Sequence, residues 1–515
     1  MNEYSQRRRL TLVDTGSNAT MGTMIFLLPA ELSPDAAYEL ERAWLAGSDR
    51  VPWPTEAHVE HQHLILQRPA SESGHLVAPW SIDGAGRLMG ASGTLIERPL
   101  PYPYLLELAR GKVNQLRCHA QSCQDSGVSL PATVQEQIHR AHQALAHAIA
   151  IGSTAEADRA ASAALTLGYR SAEQLIHESS NQLLPIRRRD QPRLDTALGC
   201  RVSTVLADAA ARAFAMTFGR ISLAFPWSSI EPNEGRYDWS QQDALLEWAE
   251  REGLEVTGGP LLDFSSAQLP DWLWLWERDL TSLGKFMSSY VTAALQRYRG
   301  RIRRWQLTSA SNSASVLSLS EYEILWLTVK LGRMARQVNE EIELVVNVAQ
   351  PWCDYMAHEH RDQSPYVFAE TLIREWNAAA VDLEVVMGVA PRGSYCRDLL
   401  ETAFLLDSYA GLGVPVRVTL GYPSGSTVDP KADPEQCVDG GYWHSGVHEA
   451  VQADWAASFA ALALAKPFVE AVHWVDFSDA DLHQFLHCGL VDAAGRPKPS
   501  LQTLGQLRKA HLSGR

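Results

Sequence analysis

From about residue 195 onward the chain repeats one pattern eight times: a short apolar run, then a segment with helical spacing. The runs are CRVSTVL, ISLAFPW, LEVTGGPLLDF, IRRWQLTSA, IELVVNVAQPW, LEVVMGVAP, VPVRVTLGY and EAVHWVDF. Between them, segments such as QQDALLEWAER and YEILWLTVKLGRMARQV place apolar residues three and four apart. In the second of these, Ile324, Leu327, Leu331, Met334 and Val338 predict one stripe turned to a core. Strands this apolar, each separated from the next by a helix, pair in parallel with both faces covered, because parallel neighbours need a crossover connection. Eight such units predict an α/β fold, a closed (β/α)8 TIM barrel over 195–515. An open doubly wound sheet fits less well, since no Gly-rich phosphate turn follows the first strand.

The amino-terminal part has a different texture. Over 1–104, short apolar stretches alternate with Gly, Pro and Asp-Gly signals and predict a β-rich domain. Its GAGRLMG stretch follows Asp83-Gly84 and has one residue too many for a dinucleotide fingerprint, so it reads as a hairpin turn. Residues 105–190 are Ala-, Leu- and Gln-rich with helical spacing and predict three connecting helices. His139, His142 and His147 in the second lack i, i+4 spacing and read as surface residues. The basic run Arg187 to Arg189 reads as a solvated linker.

A chain of 515 residues exceeds what a single core usually organises. The net charge of -15 argues against nucleic-acid or anionic-membrane partners. Seven scattered cysteines fit reduced thiols better than a disulfide framework. Arg7 to Arg9 precede only LTLVD before charge returns, which is too short for a secretory leader, and no apolar run approaches the ~20 residues of a membrane helix. A cytoplasmic location is the resulting expectation.

In a barrel of this kind the pocket is built by the loops that follow the strands. Those exits carry Trp227 and Glu231 after the second strand, then Asp263, Gln268 and Trp272 after the third. Asn312 follows the fourth, and Gln350, Trp352, Asp354 and Glu359 the fifth. Arg392 follows the sixth, Tyr422 the seventh, and Trp474, Asp476 and Asp479 the eighth. Amides, aromatic rings and a few carboxylates suit an oligosaccharide or polysaccharide better than a phosphate or a hydride donor. Glycoside hydrolysis requires two carboxyl groups, about 5–5.5 Å apart for retention and ~6.5–9.5 Å for inversion. Asp263 is the first candidate, Asp476 or Asp354 its partner, and Glu231 the fourth; Glu231 also reads as a loop-fixing residue before Pro232, and Asp263 equally as a cap. The cluster His358, Glu359, His360 and Asp362 lacks an evident third or fourth ligand, so neither metal nor cofactor is expected.

WSSIEPNEGRYDW, QLPDW (268–272), RYRGRIRRW (297–305), GLGVPVRVTL, HWVDFSD and GLVDAAGRPKPSLQTL occur in this order, and together they resemble glycoside hydrolase family 10, the xylanase family. The resemblance spans about 200–510. It implies a retaining mechanism with a general acid/base at the end of strand four and a nucleophile at the end of strand seven. Those positions are occupied here by Ala310 and Leu420, and Gly259 and Asp263 stand near the family's third-strand histidine and tryptophan. The chain therefore reads as a divergent glycoside hydrolase acting on O-glycosidic bonds through relocated carboxylates. The alternative is a catalytically silent glycan-binding barrel. In it Trp227, Trp272, Trp352 and Trp474 stack on sugar rings, Asn312, Gln268 and Gln350 hold hydroxyls, and Arg392 and Tyr422 complete the mouth.

Overall fold

A computed structural model describes residues 22–30, 32–152, 155–189, 193–265 and 268–512; the stretch around Arg7 to Arg9 lies outside them. Eight parallel strands close a barrel: Ala197–Val202, Arg220–Leu223, Glu255–Gly258, Arg304–Gln306, Glu343–Val348, Ala380–Val386, Val416–Gly421 and Val469–Trp474, with the eighth paired to the first. Each expected apolar run contributes its strand. The first begins three residues earlier than its run, because pairing of Ala197 with Ala471 sets the register and leaves Ser203 to Leu206 in the loop beyond. The strands stay apolar on the side facing the helices. The helix Glu321–Val338 buries Ile324, Leu327 and Leu331 as its stripe requires. It starts on a capping box in which Ser320 and Glu323 satisfy each other's backbone N–H.

The amino-terminal unit consists of two small sheets and three long helices. One sheet runs in the order Glu56–Glu60, His63–Arg68, Gly22–Leu27, Tyr102–Pro103. The other joins Trp44–Ala46, Gly74–Ile82 and Gly86–Leu95 and is completed by Tyr442–Trp443 from the barrel's seventh loop. The turn at Asp83–Ala85 is the hairpin expected there, with Gly84 at φ 74°. The helices are Tyr104–Asp125, Ala132–Ile151 and Ala155–Arg187, and His139, His142 and His147 are exposed on the second. Gly111 lies inside the first helix, where an added Cβ would run into the Ala91 carbonyl. Its helix-propensity cost of ~1 kcal/mol is accepted so that helix and sheet can touch.

The unit is fastened to the barrel by side chains as well as by the shared sheet. Lys112 forms an ion pair with Asp398 at 2.5 Å, with the two side chains 2% and 6% exposed. Arg187 donates to the Lys466 carbonyl at 3.0 Å and Arg188 to the Ala510 carbonyl at 2.9 Å. These two basic residues are helix-to-barrel ties, not a solvated linker: the last turn of the helix ends against the barrel's final helices, whose end-of-helix carbonyls accept from both arginines. No described helix is long and apolar enough to cross a membrane.

Candidate functional site

The barrel's interior is polar, and alternation along the strands shows how it is built. At its base Arg304 of strand four lies between Glu343 of strand five (3.0 Å) and Glu470 of strand eight (2.5 Å). Above it, Asp382 of strand six accepts from Arg417 at 2.9 Å and from Thr419 at 2.8 Å, both on strand seven. Arg417 also donates to Gln306 at 2.6 Å. His473 meets Ser222 at 2.9 Å, and its deep burial, followed by the positive charges of Arg417, Arg220 and Arg304, holds it neutral. The next layer up is Glu384, two residues after Asp382 on the same face. It accepts from Asn347 at 2.9 Å and from Ser309 at 3.3 Å. Burial raises the Glu384 carboxyl above its ordinary value; the Arg392 charge opposes that shift, and the negative charges of Asp382 and Asp263 add to it.

Two connected cavities open at the carboxy-terminal ends of the strands. A central one of about 30 Å³ is bordered by Glu384, Asp382, Arg417 and His473, and it is of single-water size. A second of about 170 Å³ lies over the exits of strands one to three, bordered by Ser203, Ser228, Ser229, Gln241, Asp263 and Gln268. Arg201 and Pro260 border both.

The carboxylates singled out from sequence are all engaged. Asp263 accepts from Arg392 at 2.8 Å and from the Ser265 amide at 3.1 Å. Asp476 takes a two-pronged grip from Arg201 at 2.8 and 2.7 Å, with the Gln484 amide on one of the same oxygens at 3.0 Å. Glu231 closes its own loop, accepting from the Trp227 indole at 2.6 Å and the Gly235 amide at 2.7 Å. Asp354 is clamped by Arg397 at 2.5 Å and accepts from the Tyr395 amide at 3.2 Å. Glu359 pairs with Arg361 at 2.8 Å, and Asp479 with Lys498 at 2.6 Å. Among the described residues, Asp479, His483 and Cys488 could converge on one ion. The Lys498 ammonium occupies the Asp479 carboxylate, however, and both His483 ring nitrogens already face acceptors, Asp481 and Asp429.

Of the residues expected to hold a glycan, Trp227, Gln268 and Arg392 lie at the mouth with Asp263. The others are spread over the loops. Asn312 exchanges hydrogen bonds with the Ala349 backbone (2.8 and 3.0 Å), and Gln350 donates to the Pro391 carbonyl at 2.7 Å. Tyr422 donates to the Gly446 carbonyl and stacks on Trp455. The Trp474 indole donates to the Cys488 carbonyl, its ring edge-on to Trp455. Trp272 donates to the Glu231 carbonyl, and Trp352 lies under the Arg397 guanidinium. Trp227 itself is 1% exposed and stacked on Tyr290 at 5.0 Å. Indole burial here holds the loops in place.

Ala310 is buried with φ 56°, a left-handed conformation, and its amide donates to Asn347. On strand seven the inner-face residue is Thr419. Alternation turns Leu420 outward, beside Trp474 in the layer under the helices. Sequence reading missed Asp382, Glu384, Asn347, Arg417 and His473 because it searched the loops. The signal was available in AVDLEVV, where two acids two residues apart interrupt an apolar run and must share one face.

A family model described as glycosyl hydrolase family 10 matches residues 221–419. Endo-1,4-beta-xylanase B of Thermotoga neapolitana is 23% identical over 215 residues, which is 39% of this chain and 58% of that protein. Endo-1,4-beta-xylanase B of Humicola insolens is 28% identical over 122 residues, 24% of this chain and 33% of that protein. The aligned stretches thus span between a third and somewhat over half of these relatives. Among solved structures, xylanase 10B from Thermotoga petrophila in complex with xylobiose aligns with 61% of this chain and 94% of its own, at 16% identity and a TM-score of 0.45.

Proposed function

We propose that this chain, whose residues 221–419 match the glycosyl hydrolase family 10 model, binds a β-linked oligosaccharide at the barrel mouth without cleaving it by double displacement. One observation carries the reading: the acids at the mouth are committed elsewhere. A retaining enzyme needs one carboxylate free to attack and another free to donate a proton, about 5–5.5 Å apart. Here Asp263 and Asp476 are each held by an arginine, and the family positions on strands four and seven are Ala310 and Leu420. What remains at the mouth is a cavity bordered by hydroxyls and amides, the groups that hold sugars by exchangeable hydrogen bonds. The relatives' names make β-1,4-xylo-oligosaccharides the first ligands to test.

A second reading is supported by Glu384. Its carboxyl borders the central cavity and is raised by burial, which favours the protonated form that a proton donor needs. A buried acid of this kind, with Asp263 at the neighbouring strand exit, supports hydrolysis through relocated carboxylates. The experiment is calorimetric titration of the whole chain with xylohexaose, alongside a reducing-end assay with wild type, Glu384→Gln and Asp263→Asn. Binding with no new reducing ends supports the proposal. Cleavage by wild type that disappears in Glu384→Gln replaces it with the second reading, and neither binding nor cleavage across β-linked glucose and xylose oligomers overturns both.

A further inference from the structure

A cavity of about 530 Å³ lies away from the barrel mouth, at the seam where the amino-terminal unit meets the loop after strand five and the helix Leu399–Ala410. We infer that it is a binding site for an uncharged aromatic molecule carrying an acceptor oxygen, such as an aryl ketone or ester.

Its volume is that of a small-molecule site, and junctions between domains are where such sites concentrate. Its walls include Trp44, Val77, Met89, Trp352, Phe404 and Tyr409. Well-packed proteins leave few voids larger than a water, and an apolar void forfeits dispersion contacts on every side. Small residues line it, Gly90 to Gly93 on the sheet, and the Cβ position of Gly93 faces open space. Packing is divided along the same line: Trp44, Ala46, Val77 and Met89 belong to a small apolar cluster separate from the main core.

Polarity selects the ligand. The Trp44 indole N–H, the Trp352 indole N–H and the Tyr409 hydroxyl are buried without a hydrogen-bond partner, and all three residues border this cavity. Trp44 and Tyr409 are each only 3% exposed. A buried donor without an acceptor costs roughly 1–3 kcal/mol. Three unpartnered donors on residues that line one cavity favour a ligand that brings acceptors. Charge is already balanced: Glu401 takes Arg50 at 3.1 Å on one oxygen and Gln115 at 2.5 Å on the other, and Arg397 is spent on Asp354. Asp49 is exposed at the rim and accepts from the Val51 amide. A charged ligand would have to break one of these pairs, whereas a neutral ring with a carbonyl needs none broken.

The test uses 6-propionyl-2-dimethylaminonaphthalene, a neutral aryl ketone whose emission shifts to the blue when it leaves water. Titrated into the whole chain, it should bind saturably with one site per chain. Ala91→Phe fills the floor, and Ser408→Trp, at an exposed rim position on the helix, narrows the entrance; each should weaken binding at least tenfold while oligosaccharide titration at the mouth stays unchanged. Because Ser408 is exposed, that variant keeps the test valid if Ala91→Phe fails to fold. Absence of saturable binding, or saturable binding that neither variant weakens, overturns the inference.

Discussion

Removing the Lys112 ammonium tests how the two parts of the molecule are held together. Lys112 projects from the helix Tyr104–Asp125 to Asp398, which caps the helix Leu399–Ala410 by accepting from the Glu401 amide at 3.1 Å. The same ammonium lies 4.3 Å from the Tyr169 ring on the third long helix. One charge thus joins two amino-terminal helices to the barrel. Burial raises the Asp398 carboxyl, and the attraction of Lys112 is what opposes that shift. Lys112→Met leaves the carboxylate buried without its counter-charge, a change that typically costs about 3–5 kcal/mol. For a cooperative unit of 150–250 residues that is a fall in Tm of about 6–20 °C. Asp398→Asn keeps the cap but strands the ammonium and should cost a similar amount. The double variant removes both charges and should lie within ~1–2 kcal/mol of wild type. The sign with pH is fixed: a carboxyl raised in the folded state is best tolerated below its unfolded value and destabilises as pH rises through the folded one. The Lys112→Met deficit should therefore be full at neutral pH and shrink towards pH 4. Differential scanning calorimetry on the four proteins decides it. Single variants within about 2 °C of wild type, or a double variant as unstable as the sum, would refute the assignment of this pair as the fastening.

Three further outcomes follow from the barrel interior. Glu384→Gln removes a carboxyl whose folded value is raised, so wild-type stability should decline from acid towards neutral pH more steeply than the variant's, by urea unfolding at a series of pH values. Gly199→Ala places a Cβ 2.7 Å from the His473 ring, which Ser222 holds from the other side; a cost of about 1–3 kcal/mol is expected, read as a lower urea midpoint at unchanged slope. Asp476→Asn frees the partly buried Arg201 and should lower Tm, yet leave the affinity for xylohexaose within about twofold, since Asp476 acts here as an anchor.

The barrel was legible because its requirement is repetitive. Eight strands that turn an apolar face to the helices, joined by seven helical crossovers, make local pattern and global fold agree. The first strand was misplaced at its start because SerThrValLeu, with its β-branched residues, looks more strand-like than AlaLeuGly, while the neighbouring strand and not propensity sets the register. The site was less legible for two reasons. Tryptophan content cannot separate a sugar platform from a packed indole: Trp227 and Trp239 each stack on Tyr290, and Trp455 stacks on Phe459. The seam cavity is formed by residues hundreds of positions apart, such as Trp44 and Tyr409, and no local spacing announces it.

The strand-seven exit shows where aligning by residue order and aligning by side-chain direction part company. The run VRVTL places Leu420 after a threonine, where the family resemblance expects an acid, but a strand allows only alternate residues to face inward. Arg417 and Thr419 both reach Asp382, so they define the inner face, and Leu420 belongs with Val418 in the apolar layer beneath the helices. The substitution is therefore more than an exchange of glutamate for leucine. The inner face that would carry a nucleophile has been given to an arginine–aspartate–threonine network that fills the barrel. Asp382 and Glu384 are the acids that network brings towards the mouth, and the Glu384→Gln variant in the reducing-end assay separates the two proposed readings.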